Sequence, residues 1–137
     1  MNLNTKTALC AVFAISVSAS AALAVDYKCE LKANPGVPPL IYVIEDKGET
    51  YAYDGLIDDI YGKPIPAKIS VDNDKRVTYS WNVNGAMGKN SNLGNSVNGN
   101  INFRLTRQKA SGKASLQGKL VGYDNSFRSS GKCTIAK

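Results

Sequence analysis

Through most of the chain after residue 25, apolar residues recur at every second position, the period of a strand with one buried face. Tyr27, Cys29 and Leu31 alternate with Asp26, Lys28, Glu30 and Lys32. After the breaker Asn34-Pro35-Gly36-Val37-Pro38-Pro39, Leu40 to Ile44 is apolar throughout, which suits a strand covered on both sides or shielded in part on its outer face. Asp46-Lys47-Gly48 turns the chain into Thr50 to Asp54, with Tyr51 and Tyr53 sharing a face. Gly55 to Gly62 breaks the period, because Leu56, Ile57, Ile60 and Tyr61 follow helical spacing; a short helix or an irregular crossing is expected there.

The alternation resumes at Pro66. Ala67, Ile69 and Val71 are expected inside, with Lys68, Ser70 and Asp72 outside. A turn at Asp72-Asn73-Asp74-Lys75 leads to Val77, Tyr79, Trp81 and Val83, which alternate with Arg76, Thr78, Ser80 and Asn82. Asn84 to Ser96 is rich in Asn and Gly and reads as a long polar loop. Ile101, Phe103 and Leu105 then oppose Asn100, Asn102 and Arg104. Beyond the Lys109-Ala110-Ser111-Gly112 turn, Ala114, Leu116, Gly118 and Leu120 oppose Lys113, Ser115, Gln117 and Lys119, and a last strand surrounds Cys133 and Ile135. These segments predict an all-β domain of about seven or eight strands, a small antiparallel barrel or sandwich, with a meander barrel favoured.

The segment before residue 25 has a different character. Lys6 precedes an apolar run from Ala8 to Leu23 that ends in Ala22-Leu23-Ala24, the pattern of a secretory signal peptide, so residues 1–24 are expected to be removed and 25–137 to form one domain. Three serines dilute the run, which is also short for a membrane span. Cys10 would leave with the signal, and Cys29 and Cys133 remain near the two ends of the mature chain. In an exported protein such a pair predicts a structural disulfide, so the first and last strands should be neighbours. The location implied is periplasmic or secreted.

Charge is divided along the chain. Val25 to Asp74 holds 10 acidic and 5 basic side chains, whereas Lys75 to Lys137 holds 11 basic residues and one acid, Asp124. Arg76, Arg104, Lys113 and Lys119 all fall on the polar phase of their strands and form the candidate basic surface patch, suited to an acidic envelope component or protein. The competing reading is a solvated outer face. Nucleic acid is excluded as partner, because Tyr79, Trp81 and Phe103 take the core phase and cannot interleave with the cations as stacking platforms.

Chemistry is restricted by the absence of histidine, which removes the commonest general base and the Ser-His and Cys-His nucleophile pairs. Asp54, Asp58 and Asp59, or Asp72 to Asp74, have oxygen ligands for calcium but lack EF-hand spacing, and turn chemistry explains them better. Glu45, Glu49, Asp54 and Asp58 offer carboxylate pairs without a spacing that defines a cleft. Gly85 to Asn90 lacks the spacing of a phosphate loop. No catalytic residue, metal ligand or cofactor is predicted.

Tyr27-x-Cys29, Tyr61-Gly62-Lys63-Pro64-Ile65-Pro66-Ala67-Lys68, Thr78-Tyr79-Ser80-Trp81 and Gly122 to Phe127 with Cys133 resemble a family of small exported proteobacterial proteins of unknown function. The opening Tyr27-x-Cys29, the terminal cysteine and Tyr79-x-Trp81 followed by Gly85-Ala86 are also remotely similar to inhibitors of C-type lysozyme. That similarity implies a disulfide-closed barrel, although Ser111-Gly112 here follows the aromatic strand where that family's Ser-Gly precedes it. Two function classes follow. One is a noncatalytic exported protein that acts through its surface, with lysozyme inhibition as one version; the other is a lipocalin-like carrier of a small apolar ligand.

Overall fold

The structure is a computed structural model and describes residues 24–89, 96–124 and 126–136. Eight strands run in chain order: β1 (Val25–Leu31), β2 (Leu40–Asp46), β3 (Glu49–Asp54), β4 (Ile65–Asp72), β5 (Arg76–Lys89), β6 (Ser96–Gln108), β7 (Lys113–Leu120) and β8 (Ser126–Ile135). A helix, α1 (Gly55–Tyr61), joins β3 to β4. Each strand pairs antiparallel with the next, and β1 pairs with β8, so the sheet closes as a meander barrel and leaves no edge between the terminal strands. The proposed signal peptide lies outside the described residues except for Ala24.

Closure places Cys29 directly opposite Cys133 in the β1–β8 ladder, and the two are disulfide-bonded. The bridge closes a chain segment of 104 residues. In the chain-entropy description a loop of this length stabilises the fold by up to about 4.7 kcal/mol.

The interior is filled by the predicted alternation. Ile41, Val43, Tyr79, Val83, Ile101, Phe103, Leu105 and Leu116 are fully buried, and Trp81 nearly so. Trp81 and Phe103 face each other across β5 and β6 and stack with centroids 5.6 Å apart; Phe127 meets Phe103 edge-on at 5.8 Å. Burying each of the larger apolar chains contributes about 1.5–3 kcal/mol. Leu120, expected in this core, is only partly buried because it stands at the end of β7.

The helix closes one end of the barrel. Asp54 caps it, its Oδ1 accepting from the Ile57 N–H at 2.9 Å, and Ile57 is fully buried. The Tyr61 hydroxyl donates to the Asn84 carbonyl at 2.7 Å and accepts from the Asn84 N–H at 2.8 Å. Ile60 lies against Gly85, where a Cβ would stand 2.9 Å from its Cγ2, so glycine is what admits the helix to β5. Among the described residues no helix is long and apolar enough to cross a membrane.

Two expectations are corrected. Asn84 to Ser96 is not one long loop: β5 continues to Lys89 and β6 begins at Ser96, with Gly85 opposite Gly99 and Ala86 opposite Asn98. Backbone pairing carries the strands through a sequence that has no strong strand propensity. The second correction concerns β4. A register shift between Ile69 and Val71 sets Val71 opposite Thr78 and Asp72 opposite Val77. In this register Asp72 stands beside core-phase Val77 at the barrel end, where it stays exposed as expected, and Val71 stands half-buried beside the buried Thr78, short of the full burial expected of it. Ile69, expected in the core, is 45% exposed at the barrel end opposite α1.

Candidate functional site

The outer surface is assembled from residues that alternate with the core, and closure gives it two unlike faces. On β2 and β3, Tyr42 pairs with Tyr53 and Ile44 with Tyr51, which half-buries this outer row and explains why Leu40 to Ile44 is apolar on both sides. The Tyr53 hydroxyl donates to Asp58 at 2.7 Å, and the Tyr51 hydroxyl donates to Glu49. These carboxylates hold both phenol pKa values above the ordinary one. Asp26, Glu30, Asp46, Glu49, Asp58 and Asp59 make this side acidic, and all six are exposed.

The opposite face is built by β4 to β8. The sequences of β5 to β8 contain no Asp or Glu, and β4 contains only Asp72. The bulge aligns that one acid with Val77 at the barrel end, where it is exposed and paired with Lys109. The outer residues fall into rows across the ladder. Lys68 pairs with Ser80, Ser80 with Arg104, Arg104 with Gln117, and Gln117 with Arg128. Three cations thus occupy alternate strands of one row, with a hydroxyl and an amide between them. Lys68, Arg104 and Arg128 are exposed. Among the described residues the ion pairs are Lys28–Glu30 and Lys109–Asp72, and neither draws on this row.

The four residues selected from the sequence are all exposed on this face, in two groups. Arg104 and Lys119 are diagonal neighbours, since Lys119 pairs with Asn102 two positions before Arg104. Arg76 pairs with Gln108, and Lys113 with Lys132, nearer the other barrel end. An uncharged row of Thr78, Thr106, Ser115 and Ser130 separates the groups. Lys68, Arg128 and Lys132 share this face with them. Their polar phase was readable, but their alignment with Arg104 and Lys113 depends on registers that only the closed barrel supplies.

A surface hollow of about 470 Å³ opens on this face over β4 to β6. Lys68, Ser80 and Arg104 line it from the cationic row, and Asn82, Asn84 and Asn102 line it beside that row. The Asn82 side-chain amide donates to the side-chain oxygens of Asn100 and Asn102, which ties the amides of adjacent strands together.

The barrel end opposite α1 holds an interior polar group. Glu45 and Arg107 keep the core phase of their strands although both are charged. The Tyr79 hydroxyl donates to Glu45 Oε1 at 2.6 Å and accepts from Arg107 Nη2 at 3.4 Å. The Arg107 guanidinium lies 3.9 Å from the Tyr27 ring centroid. Burial and the Glu45 carboxylate push the Tyr79 phenol far above its usual range. With Asp72 and Lys109 these residues line a cavity of about 340 Å³.

Most of the carboxylates that could serve catalysis or calcium have local partners. Asp54 caps α1, Asp58 and Glu49 accept from tyrosines, and Glu45 accepts from Tyr79. The Asn73 side chain accepts from the Lys75 and Arg76 N–H groups, each at 3.0 Å, which accounts for the Asp72 to Lys75 turn. Among the described residues no three Asp, Glu or Cys side chains gather as metal ligands. Comparison of the chain with protein families, with curated proteins and with solved structures finds no match.

Proposed function

We propose that this is an exported, noncatalytic binding barrel that engages an acidic envelope component through the outer face of β4 to β8. The observation that carries this reading is the row Lys68, Ser80, Arg104, Gln117 and Arg128 on strands whose single carboxylate, Asp72, is taken up by Lys109 at the barrel end. A solvated surface needs only mixed charge for solubility; the concentration of cations on one face creates a directed field that attracts a polyanion and orients it. Interior packing supports a surface role, because Tyr79, Trp81, Phe103 and Leu116 occupy the space in which a carrier would hold an apolar ligand. The Cys29–Cys133 disulfide fits an oxidising compartment, and export to the periplasm or beyond completes the reading.

The test is retention of the oxidised protein on immobilised dextran sulfate at low and high salt. Retention lost at high salt, and lost at low salt when Lys68, Arg104, Lys119 and Arg128 are changed to Gln, supports the proposal. Flow-through of the wild-type protein at low salt overturns it.

Inhibition of a C-type lysozyme is a specific version of the surface reading and draws support from the disulfide-closed barrel. Such lysozymes are basic, so the contact would fall to the acidic β1–β3 face. A turbidity assay of cell-wall lysis decides this version directly.

A further inference from the structure

We infer that the hollow over β4 to β6 seats a carboxylate-bearing pyranose, a hexuronate-type residue of an acidic glycan. The inference rests on the proposed anion-binding face and assigns the chemistry of its recognition point. Lys68 and Arg104 flank Ser80 from the two neighbouring strands, so their backbones lie about 10 Å apart, two strand spacings. Two long cationic side chains rooted at that separation can both reach one carboxylate placed over Ser80. A guanidinium offers paired donors to a carboxylate, and the ammonium adds a mobile point charge.

The amides distinguish a sugar from a bare anion. Asn82, Asn84 and Asn102 line the hollow beside the cations. The Asn82 amide bonds the side-chain amides of Asn100 and Asn102, and since each amide carries an oxygen acceptor and a two-hydrogen donor, Asn82 and Asn102 together keep both an acceptor and a donor for a ligand. Adjacent hydroxyls of a pyranose are each donor and acceptor and meet that pair. A sulfate or a phosphate diester is acceptor only and has no use for an amide oxygen. Pro66, Trp81 and Phe103 also line the hollow, but the two rings are almost wholly buried, and the large exposed hydrophobic residues, Ile69, Val121, Tyr123 and Ile135, that would hold a lipid lie elsewhere. Nucleobases would need exposed rings, and Trp81 and Phe103 are turned into the core.

The experiment is calorimetric titration of the full oxidised protein with an oligogalacturonate, its methyl ester and vesicles of phosphatidylglycerol. Wild type and Asn82→Ala/Asn102→Ala are compared, with dextran sulfate retention measured on both. The oligogalacturonate should bind at least about tenfold more tightly than the ester. The double variant should lose about tenfold or more in affinity for it, two hydrogen bonds' worth, while holding dextran sulfate as well as wild type. Lys68→Gln, at an exposed position, serves as a second variant should the double variant misfold, and it should weaken oligogalacturonate binding relative to wild type. Equal affinity for acid and ester, unchanged affinity in these variants, or tighter binding to the vesicles overturns the hexuronate assignment and leaves the anion-binding face standing. Loss of dextran sulfate retention by wild type itself removes both.

Discussion

The ring of Phe127 lies where a side chain on Gly118 would have to stand: a Cβ added to Gly118 would be 2.1 Å from Phe127 Cε2. The two residues are paired across β7 and β8, and the space left by glycine lets the Phe127 ring reach Phe103 in the core. Gly118→Ala should therefore destabilise the protein by about 1–3 kcal/mol through overpacking. Urea denaturation of wild type and variant measures this, and an unchanged midpoint would show that Phe127 does not occupy the position described.

The seam of the barrel gives a second prediction. Because Cys29 and Cys133 join strands at opposite ends of the chain, Cys29→Ala/Cys133→Ala should cost about 2–5 kcal/mol. The oxidised wild type should weigh two hydrogens less than the reduced chain. A variant as stable as wild type would mean that β1–β8 pairing needs no covalent support.

The interior hydroxyl of Tyr79 links stability to alkaline pH. Burial and Glu45 raise its pKa above the ordinary value of 10.0. A raised folded-state pKa means that the native state holds this proton more tightly than the unfolded chain; the associated stability is present below pH 10 and falls as pH rises above it. Tyr79→Phe should cost about 1–3 kcal/mol at neutral pH, since Glu45 and Arg107 lose a shared partner. It should also show a shallower alkaline decline. Denaturation midpoints at neutral pH and about one unit above the ordinary tyrosine value test both parts, and identical pH slopes would contradict the assignment.

Asp54 acts in the acid range with the same sign. It is 2% exposed, and burial raises its pKa above 3.8 against the opposing pull of the Ile57 and Leu56 N–H groups. Its contribution to stability is full below pH 3.8 and is lost as pH rises through the raised value. Asn caps helices as well as Asp does, so Asp54→Asn should match or exceed wild-type stability at neutral pH and remove that slope. Asp54→Ala should cost about 1 kcal/mol through the lost cap. Marked destabilisation by Asn would show that the charge itself holds α1.

Much of this architecture was legible because a half-buried strand imposes a period of two on its side chains. Tyr79, Trp81 and Val83, and Ile101, Phe103 and Leu105, take the sides their alternation assigns, and the helical spacing of Leu56, Ile57 and Ile60 marks α1. The bulge after Ile69 was not legible, since an extra residue leaves the local pattern intact while shifting the partners of Val71 and Asp72. Arg107 continues the core phase of Leu105, yet its charge suggests solvent; only the partners Tyr27 and Tyr79 at the barrel end make the interior placement favourable. The candidate face was legible in part. Arg76, Arg104, Lys113 and Lys119 could be assigned to the outside one strand at a time, whereas the row from Lys68 to Arg128 depends on four successive registers.

The most direct measurement of the central claim is a titration of isotopically labelled protein with a soluble acidic oligosaccharide at low salt, followed by backbone amide shifts. Shifts concentrated at Lys68, Ser80, Arg104, Gln117 and Arg128, reversed by added salt and accompanied by little change on β1 to β3, are the predicted result. Shifts confined to Tyr42, Tyr51 and Tyr53, or no shifts at an oligosaccharide concentration that saturates dextran sulfate sites, would contradict it.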